Sequence, residues 1–185
     1  LSQVEKLNTR VEDLLNMSRI ESGQLNFNLE IFDIKEMLTE IIETFSYSSQ
    51  THRVITQLSS LPAPVKGDKQ RIEQAILNLM TNAVKYSPKA DEIVVNLEVN
   101  DENVILKVKD RGIGLTAHQK QQLFTRFYRA EDTQNISGLG LGLYLTKQII
   151  DRHGGVIKVE SKYGKGSQFS FTLPLAEKLK RAKAV

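Results

Sequence analysis

The stretch Asp68–Tyr86, DKQRIEQAILNLMTNAVKY, decides the fold because it is the clearest amphipathic helix in the chain. Asp68 is a residue type that is favoured at helix N-termini. The apolar positions of the stretch repeat with a helical period and are Ile72, Ala75, Ile76, Leu79, Met80, Ala83 and Val84. We therefore predict a central helix that buries one face in the core and carries polar residues beside it.

Four polar residues follow one edge of that apolar face, namely Asn78, Asn82, Lys85 and Tyr86. Asn78 and Asn82 are one turn apart, and the other two come one turn later. An amide oxygen can ligate a hard cation such as Mg²⁺, and an ammonium group can hold a phosphate. The alternative is that these side chains simply face water, because an Asn-x-x-x-Asn spacing is common.

The composition is that of an ordinary globular domain, and it limits the classes of function. Of 185 residues, 40% are hydrophobic and 25% are charged, which suffices for one domain with a sizeable core. The net charge of +3 makes no case for nucleic-acid binding, and the lack of cysteine excludes disulfides and thiolate metal sites. No apolar run approaches the roughly 20 residues that span a bilayer. Because the chain starts with Leu in mid-pattern, we expect it to be part of a longer protein.

The N-terminal segment is predicted to be a helix that ends at Gly23. Its apolar residues at a and d positions form a narrow stripe of Val4, Leu7, Val11 and Leu14. A single helix of this kind needs a partner helix, which favours a coiled coil or a helix bundle. Docking on the domain's own core is the alternative.

Between this helix and the central one, the pattern predicts a strand, a helix and a second strand. Residues 25–34 alternate between apolar and polar side chains, which is typical of a half-buried strand. Its inward side chains would be Leu25, Phe27, Leu29 and Ile31. A helix is predicted over residues 35–50 and a short strand over 54–58. Pro62 and Pro64 indicate a loop that leads into the central helix.

A hairpin is predicted over residues 92–110, after the central helix. On its return strand, Val104, Leu106 and Val108 alternate with lysines. Asp110 has the same parity as these three residues, so its carboxylate is aimed at the apolar side. A buried carboxylate without a partner is costly, and Asp110 should therefore meet a donor from the protein or from a ligand.

The rest of the chain is rich in glycine, with nine of the eleven glycines between Gly112 and Gly166. Thr116 and Gln119 form a capping box, which predicts a short helix. That helix would carry Leu123, Phe124, Phe127 and Tyr128. A longer helix is predicted to start in the glycine run, and two strands follow it. The last strand would bury Phe169, Phe171, Leu173 and Leu175.

Three short motifs could contact a ligand. DRGIG, residues 110–114, ends a strand with glycines that let a ligand approach the backbone. SGLGLGL, residues 137–143, places backbone N–H groups at a helix N-terminus, where an anion is favoured, although it is neither a dinucleotide fingerprint nor a Walker loop. FTRFYR, residues 124–129, has two arginines that could reach phosphate. Each motif alone also fits a tight turn, a closely packed helix start or an aromatic core.

In this order, the segments resemble the catalytic ATP-binding domain of bacterial sensor histidine kinases, which has the GHKL or Bergerat fold. NLMTNAVKYS is similar to the family's N box, DRGIG and SGLGLGL to its first two glycine boxes, FTRFYR to its F box, and YGKGSQF to its last glycine box. The resemblance implies an α+β fold, a two-layer α/β sandwich whose mixed, mostly antiparallel sheet has helices on one face, preceded by one N-terminal helix. Residues 1–24 would be part of the dimerisation and phospho-acceptor hairpin, 25–176 the catalytic domain, and 177–185 a basic tail.

The resemblance also implies that ATP and Mg²⁺ are bound by these motifs. Asn82 would ligate Mg²⁺ with help from Asn78, and Lys85 and Arg129 would contact phosphates. The catalytic residues would be Asn78, Lys85 and Arg129. Asp110 would accept a hydrogen bond from the adenine amine. The other positions in contact with the nucleotide would be Tyr86, Gly112, Gly114, Phe124, Phe127, Gly138, Leu139, Gly140, Leu141, Gly142, Leu143 and Ser167.

The implied function is the kinase core of a two-component sensor, which moves the γ-phosphoryl group of ATP to a histidine and then to an aspartate of a response regulator. The acceptor would lie in a helical hairpin of the parent kinase, because His52, His118 and His153 lack the family's phospho-acceptor context. Residues 115–138 would form a mobile lid. We therefore expect this chain to bind Mg-ATP without phosphorylating itself. Its parent would be a homodimer in the cytoplasm, with or without an inner-membrane anchor, and nucleic acid would not be a partner.

Two alternative functions are compatible with parts of the same pattern. A related GHKL-type ATPase would hydrolyse ATP, but such enzymes usually have Glu where this chain has Asn78. A degenerate kinase would act as a nucleotide-binding scaffold, although every expected nucleotide-facing residue is present here.

Overall fold

The computed structural model describes Val11 and residues 27–49, 51–130 and 139–176. Apart from Val11, the predicted N-terminal helix lies outside the described residues, as do residues 131–138 of the predicted lid, which include Gly138, and the basic tail. The described elements are β1 (Glu30–Asp33), α1 (Ile34–Ser48), β2 (Arg53–Leu58), β3 (Pro64–Gly67), α2 (Lys69–Lys85), β4 (Glu92–Val99), β5 (Asn103–Lys109), α3 (Ala117–Gln122), α4 (Gly142–Arg152), β6 (Val156–Ser161) and β7 (Ser167–Pro174). None of these helices is long and apolar enough to cross a membrane.

Five strands form the main sheet, in the order β2-β4-β5-β7-β6. β2 is parallel to β4, and the other three pairs are antiparallel. β4 and β5 form the predicted hairpin, whose turn is held by the Asn100 side chain as it accepts from the backbone N–H groups of Glu102 and Asn103. The mixed, mostly antiparallel sheet is therefore confirmed.

The helices α1, α2 and α4 cover one face of this sheet, so the molecule has two layers as predicted. Strand alternation supplies the sheet side of the core, which includes Ile93, Val95, Leu97, Val104, Leu106, Val108, Phe169, Phe171 and Leu173. The predicted apolar face of α2 supplies the other side, and six of its seven residues are at most 3% exposed, with Val84 partly buried against them. The central helix and its orientation are thus confirmed.

The first predicted strand is wrong in extent and in the face that it buries. β1 spans only Glu30–Asp33, and Leu29 and Ile31 are 52% and 56% exposed, while Phe32 packs against the core. The strand starts only at Glu30, because the backbone N–H of Asn28 is used by the Asp68 carboxylate, and it ends at Asp33, whose side chain caps α1 by accepting from the backbone N–H of Lys35. β1 also pairs only with β3, in a separate two-stranded sheet, so the main sheet does not set its inward face.

Two other predicted boundaries are corrected by the structure. Pro64 does not lie in a loop but is the first residue of β3, a position where the missing N–H of proline is tolerated. The capping box of Thr116 and Gln119 is present, yet α3 ends at Gln122. The sequence predicts Leu123, Phe124, Phe127 and Tyr128 within this helix, but they follow it in the chain. Phe127 has a left-handed backbone with φ 59°, which an α-helix does not contain.

Asp68 and His153 join the start of α2 to the end of α4. The Asp68 carboxylate accepts from the backbone N–H of Arg71, which confirms the predicted cap, and also from the backbone N–H of Asn28. Nε2 of His153 accepts from the backbone N–H of Asp68 at 2.9 Å, and its Nδ1 donates to the Ile149 carbonyl at 2.7 Å. Both ring nitrogens of His153 are therefore used, which fixes a neutral tautomer with the proton on Nδ1.

Candidate functional site

A cavity of about 240 Å³ lies between α2, the end of β5 and the glycine-rich segment that leads into α4. Thirteen of the predicted site residues line it: Asn78, Asn82, Lys85, Tyr86, Asp110, Gly114, Arg129, Leu139, Gly140, Leu141, Gly142, Leu143 and Ser167. It is also lined by residues that the sequence did not single out for the site, namely Thr81, Ile113, Leu115, Leu123, Tyr128, Ala130 and Phe169. Five separated sequence motifs thus meet around one space.

One end of the cavity is built around the Asp110 carboxylate, which is only 4% exposed. Its Oδ1 atom accepts from the backbone N–H groups of Gly112 at 2.7 Å and Ser167 at 3.2 Å. Burial raises the pKa of Asp110, and the two N–H donors oppose that rise. No hydrogen bond to Oδ2 is recorded among the described residues, so this oxygen can accept from a ligand. We refer to this part as the carboxylate end.

The wall beside Asp110 depends on a close approach of two backbone segments at Gly114. Gly114 has φ 65°, and a Cβ atom there would lie 2.1 Å from the carbonyl oxygen of Lys162. Any other residue would strain its own backbone and collide with a second one. Gly112 does not line the cavity, and its observed contribution is the N–H that holds Asp110.

The opposite end contains the two amides of α2, and we refer to it as the amide end. Nδ2 of Asn78 donates to Oγ1 of Thr146 at 2.8 Å, and Nδ2 of Asn82 lies 3.5 Å from Oδ1 of Asn78. A Cβ atom on Gly142 would lie 2.4 Å from that Asn78 oxygen, so the glycine lets α4 approach α2 closely. Sequence reasoning missed Thr146. A polar residue on the buried face of α4 was the signal that could have found it.

Two cations add positive charge to the amide end. Burial lowers the pKa of Lys85, and the nearby Arg129 guanidinium lowers it further. Burial raises the pKa of Tyr86, against the opposing effect of Arg129, and Nζ of Lys85 lies 5.1 Å from the centre of the Tyr86 ring. Asp110 is the one carboxylate among the described lining residues, and it lies at the other end. An anion placed between Lys85 and Arg129 would therefore stabilise both charges.

The N-terminus of α4 also faces this site. The helix starts at Gly142, and no side chain caps it. Its first N–H groups have no intrahelical partner, so they and the helix dipole favour an anion. Gly142 and Leu143 both line the cavity. The N-terminus of α4 therefore adds partial positive charge beside Lys85 and Arg129.

Two predicted contact residues lie apart from the cavity lining. Phe124 is partly buried and packs against the core. Phe127 is 54% exposed and has the left-handed backbone described above. Their assignment to nucleotide binding, like that of Gly138, stays a prediction.

Comparison with known proteins identifies similar sequences and folds. Residues 67–177 match the family described as histidine kinase-, DNA gyrase B-, and HSP90-like ATPases. The chain is 35% identical, over 95% of its length, to the sensor histidine kinase WalK of Bacillus subtilis, of which it spans 30%. Its fold is similar to that of the histidine kinase AdeS of Acinetobacter baumannii, with a TM-score of 0.75 and 31% identity over 94% of this chain and 80% of that one.

A second similar structure is that of full-length ShkA in complex with AMPPNP. Its TM-score is 0.79, with 25% identity over 92% of this chain and 36% of that one. The segment that matches the family, residues 67–177, contains both ends of the cavity described above. The chain therefore belongs to the histidine kinase-, DNA gyrase B-, and HSP90-like ATPase family.

Proposed function

We propose that this chain is the ATP-binding kinase core of a two-component sensor histidine kinase. It would transfer the γ-phosphoryl group of ATP to a histidine on a helical hairpin of a homodimeric parent, for relay to an aspartate of a response regulator. The observation that carries the proposal is the division of one cavity into a carboxylate end and a cationic amide end. Such a core would act in the cytoplasm, whether or not its parent is anchored in a membrane.

The carboxylate end suits the adenine base. Oδ1 of Asp110 is already held by two backbone N–H groups, which leaves Oδ2 to accept from an exocyclic amine. A buried carboxylate gains most from such a donor, because its charged form has little water around it. Ser167 contributes its backbone N–H to this arrangement, and Gly114 lets the wall beside Asp110 pack closely on the backbone of Lys162.

The amide end suits the triphosphate. Lys85 and Arg129 would hold the phosphate oxygens, and the N-terminus of α4 would add N–H donors. Catalysis would consist mainly of positioning and charge stabilisation. The bond from the γ-phosphorus to its bridging oxygen would break, a bond to the acceptor imidazole nitrogen would form, and ADP would leave.

The residues at the amide end also fit a magnesium ion. Asn82 offers an amide oxygen, which is a ligand type that Mg²⁺ accepts. The described residues contain no group of three or more His, Cys, Asp or Glu side chains that could hold a metal ion. Phosphate oxygens would therefore complete the coordination, as is usual for Mg²⁺ that arrives with a nucleotide. The bound ion would neutralise phosphate charge.

The histidines of the chain support an acceptor elsewhere. His52 is 6% exposed, and its Nε2 donates to the Ser87 carbonyl. Both nitrogens of the buried His153 are occupied. His118 is exposed and lies beside Gln122 on α3. The buried pair could take part in the reaction only by breaking contacts that hold the fold.

A hydrolase of the same family is less well supported. Such an enzyme needs a base to position water, and the amide of Asn78 is not a base and is already bonded to Thr146. A scaffold that only binds nucleotide would have the same cavity as the kinase. Only a measurement of phosphoryl transfer therefore separates the scaffold from the kinase.

The first test is calorimetric titration of the chain with AMPPNP, with and without Mg²⁺. Saturable binding that strengthens with Mg²⁺ is expected, and absence of binding at millimolar AMPPNP would overturn the proposal.

The second test adds ATP and a separately produced hairpin that carries the acceptor histidine. Acid-labile phosphate should appear on that hairpin and not on a hairpin with His→Gln. Release of free phosphate in the absence of the hairpin would indicate the hydrolase. Nucleotide binding with neither a phosphorylated hairpin nor free phosphate would indicate the scaffold.

A further inference from the structure

Thr146 lies between two hydrogen-bonding groups beneath the amide end, one on the backbone and one on a side chain. The residue is 1% exposed. Its Oγ1 atom is 3.0 Å from the carbonyl oxygen of Gly142, one turn earlier on α4, and 2.8 Å from Nδ2 of Asn78 on α2. Thr146 therefore connects the backbone of one helix to a side chain of the other.

The chemistry of these groups gives the chain of hydrogen bonds one direction. A carbonyl oxygen can only accept, so the single hydroxyl proton of Thr146 is donated to Gly142. The hydroxyl oxygen then accepts, and the Asn78 group that faces it must be the NH₂ end of the amide. The carbonyl end of Asn78 is thereby directed to the other side, towards Gly142 Cα and Asn82.

The orientation of the Asn78 amide also favours one orientation of the Asn82 amide. The Nδ2 atom of Asn82 lies 3.5 Å from Oδ1 of Asn78, which is longer than an ordinary N–H···O hydrogen bond, so this contact is a weak one between an amide donor and an amide acceptor. The two ends of an amide are opposite in character. When the NH₂ end of Asn82 is held towards Asn78, its carbonyl oxygen is the end that is left for a cation.

We propose that Thr146 is a positioning residue that orients the Asn82 amide oxygen towards the cation bound with the nucleotide, through Asn78. This inference rests on the proposed function and assigns a role to a residue that does not itself line the cavity. We call the series Thr146–Asn78–Asn82 the amide relay. Without the hydroxyl, the Asn78 amide can turn over and present NH₂ to Asn82, and Asn82 then presents its NH₂ end to the cation.

The test measures how strongly Mg²⁺ increases the affinity for AMPPNP, as the ratio of the dissociation constants in EDTA and in Mg²⁺. Thr146→Val removes the hydroxyl and keeps the shape, so the ratio should fall about tenfold while the affinity in EDTA stays unchanged. Thr146→Ser keeps the hydroxyl and should restore the wild-type ratio. Thr39→Val is the matched control, because Thr39 makes the same bond to a carbonyl four residues earlier, at an exposed site on α1.

The possible results separate the amide relay from its alternatives. A wild-type ratio in Thr146→Val would overturn the inference. So would an equal loss of affinity in EDTA and in Mg²⁺, because that would mean a purely structural role. If the valine variant does not fold, Thr146→Ala removes the hydroxyl without adding a second methyl group and is judged by the same ratio. Failure of the wild-type chain to bind AMPPNP would instead remove the proposed function, and the inference with it.

Discussion

The two ends of the cavity are built differently. At the carboxylate end, Asp110 is held by backbone N–H groups, and Gly114 lies against the backbone of the chain at Lys162. At the amide end, the contacts are between side chains, and one of them spans 3.5 Å. The first end is therefore held by backbone groups, whereas the second is held by side chains that could rearrange around a ligand. A kinase core of this kind would read the base with a rigid wall and hold the phosphates with an adaptable one.

The largest expected difference between the ends comes from glycine-to-alanine substitutions. Gly114→Ala should reduce the free energy of unfolding by more than about 3 kcal/mol, because it combines a strained φ with a collision against backbone. Gly142→Ala meets only the movable Asn78 side chain, so its stability should change by less than about 1 kcal/mol while Mg-dependent AMPPNP affinity falls about tenfold. Urea unfolding and calorimetry would measure the two quantities.

Gly164→Ala is the control for Gly114→Ala. Gly164 has φ 76° but no atom within 4 Å of an added Cβ, so only backbone strain of about 1 kcal/mol should appear. Equal losses of stability in Gly114→Ala and Gly142→Ala would contradict the contrast between a rigid and an adaptable end.

The next largest effect is expected for Asp110→Asn, which should weaken AMPPNP binding roughly 10- to 100-fold because a hydrogen bond to a charged acceptor is lost. Burial raises the pKa of Asp110, so the folded chain holds this proton more tightly than the unfolded chain does. The stability that this group contributes is present at low pH and is lost as the pH rises through the raised pKa. The variant should therefore be as stable as wild type or more stable at pH 7 without nucleotide.

Thermal unfolding from acidic to neutral pH would test that sign, and calorimetry the affinity. Asp91→Asn, at a side chain that is 82% exposed, should change neither quantity. An Asp110→Asn chain that loses stability as well as affinity would show that the carboxylate serves the fold and not the base.

The smallest effect is expected from the pH dependence of Lys85. Burial and Arg129 lower the pKa of Lys85, and bound phosphates would favour its charged form. AMPPNP affinity should therefore decline by a few-fold as the pH rises through the lowered pKa, with proton uptake on binding. Lys85→Arg should remove the decline because a guanidinium stays charged. Lys107→Arg, on the opposite face of the sheet, is the control, and an unchanged decline in Lys85→Arg would assign it to another group.

The sequence predicted the features that are set by residues close by in the same element. The parity of Asp110 followed from Val104, Leu106 and Val108 on the same strand, and the carboxylate is buried as expected. The same reasoning failed for Ile31, because β1 is short and its inward face is set by pairing with β3, more than thirty residues later. Periodicity describes one element at a time, so it cannot show which face a distant partner covers.

Thr146 shows the same limit within the site. Its hydroxyl has a role only because Asn78 lies beside it, and the two are 68 residues apart in sequence. The glycine motif next to it predicted where α4 begins, since glycine acts through its own backbone. Likewise, no local pattern predicted the left-handed backbone of Phe127, which follows α3 in the chain.

The imidazole of His153 has a consequence for the order in which the molecule is made. Its bond to Asp68 closes a loop of 85 residues, and the start of α2 is incomplete until α4 has docked. Contacts that are so distant in sequence form late, after the local hairpin of β4 and β5. A chain emerging from the ribosome would thus have its sheet hairpin and its Asp110 before it had the proposed phosphate site, and a bound nucleotide would stabilise it only after residue 153 was free to fold.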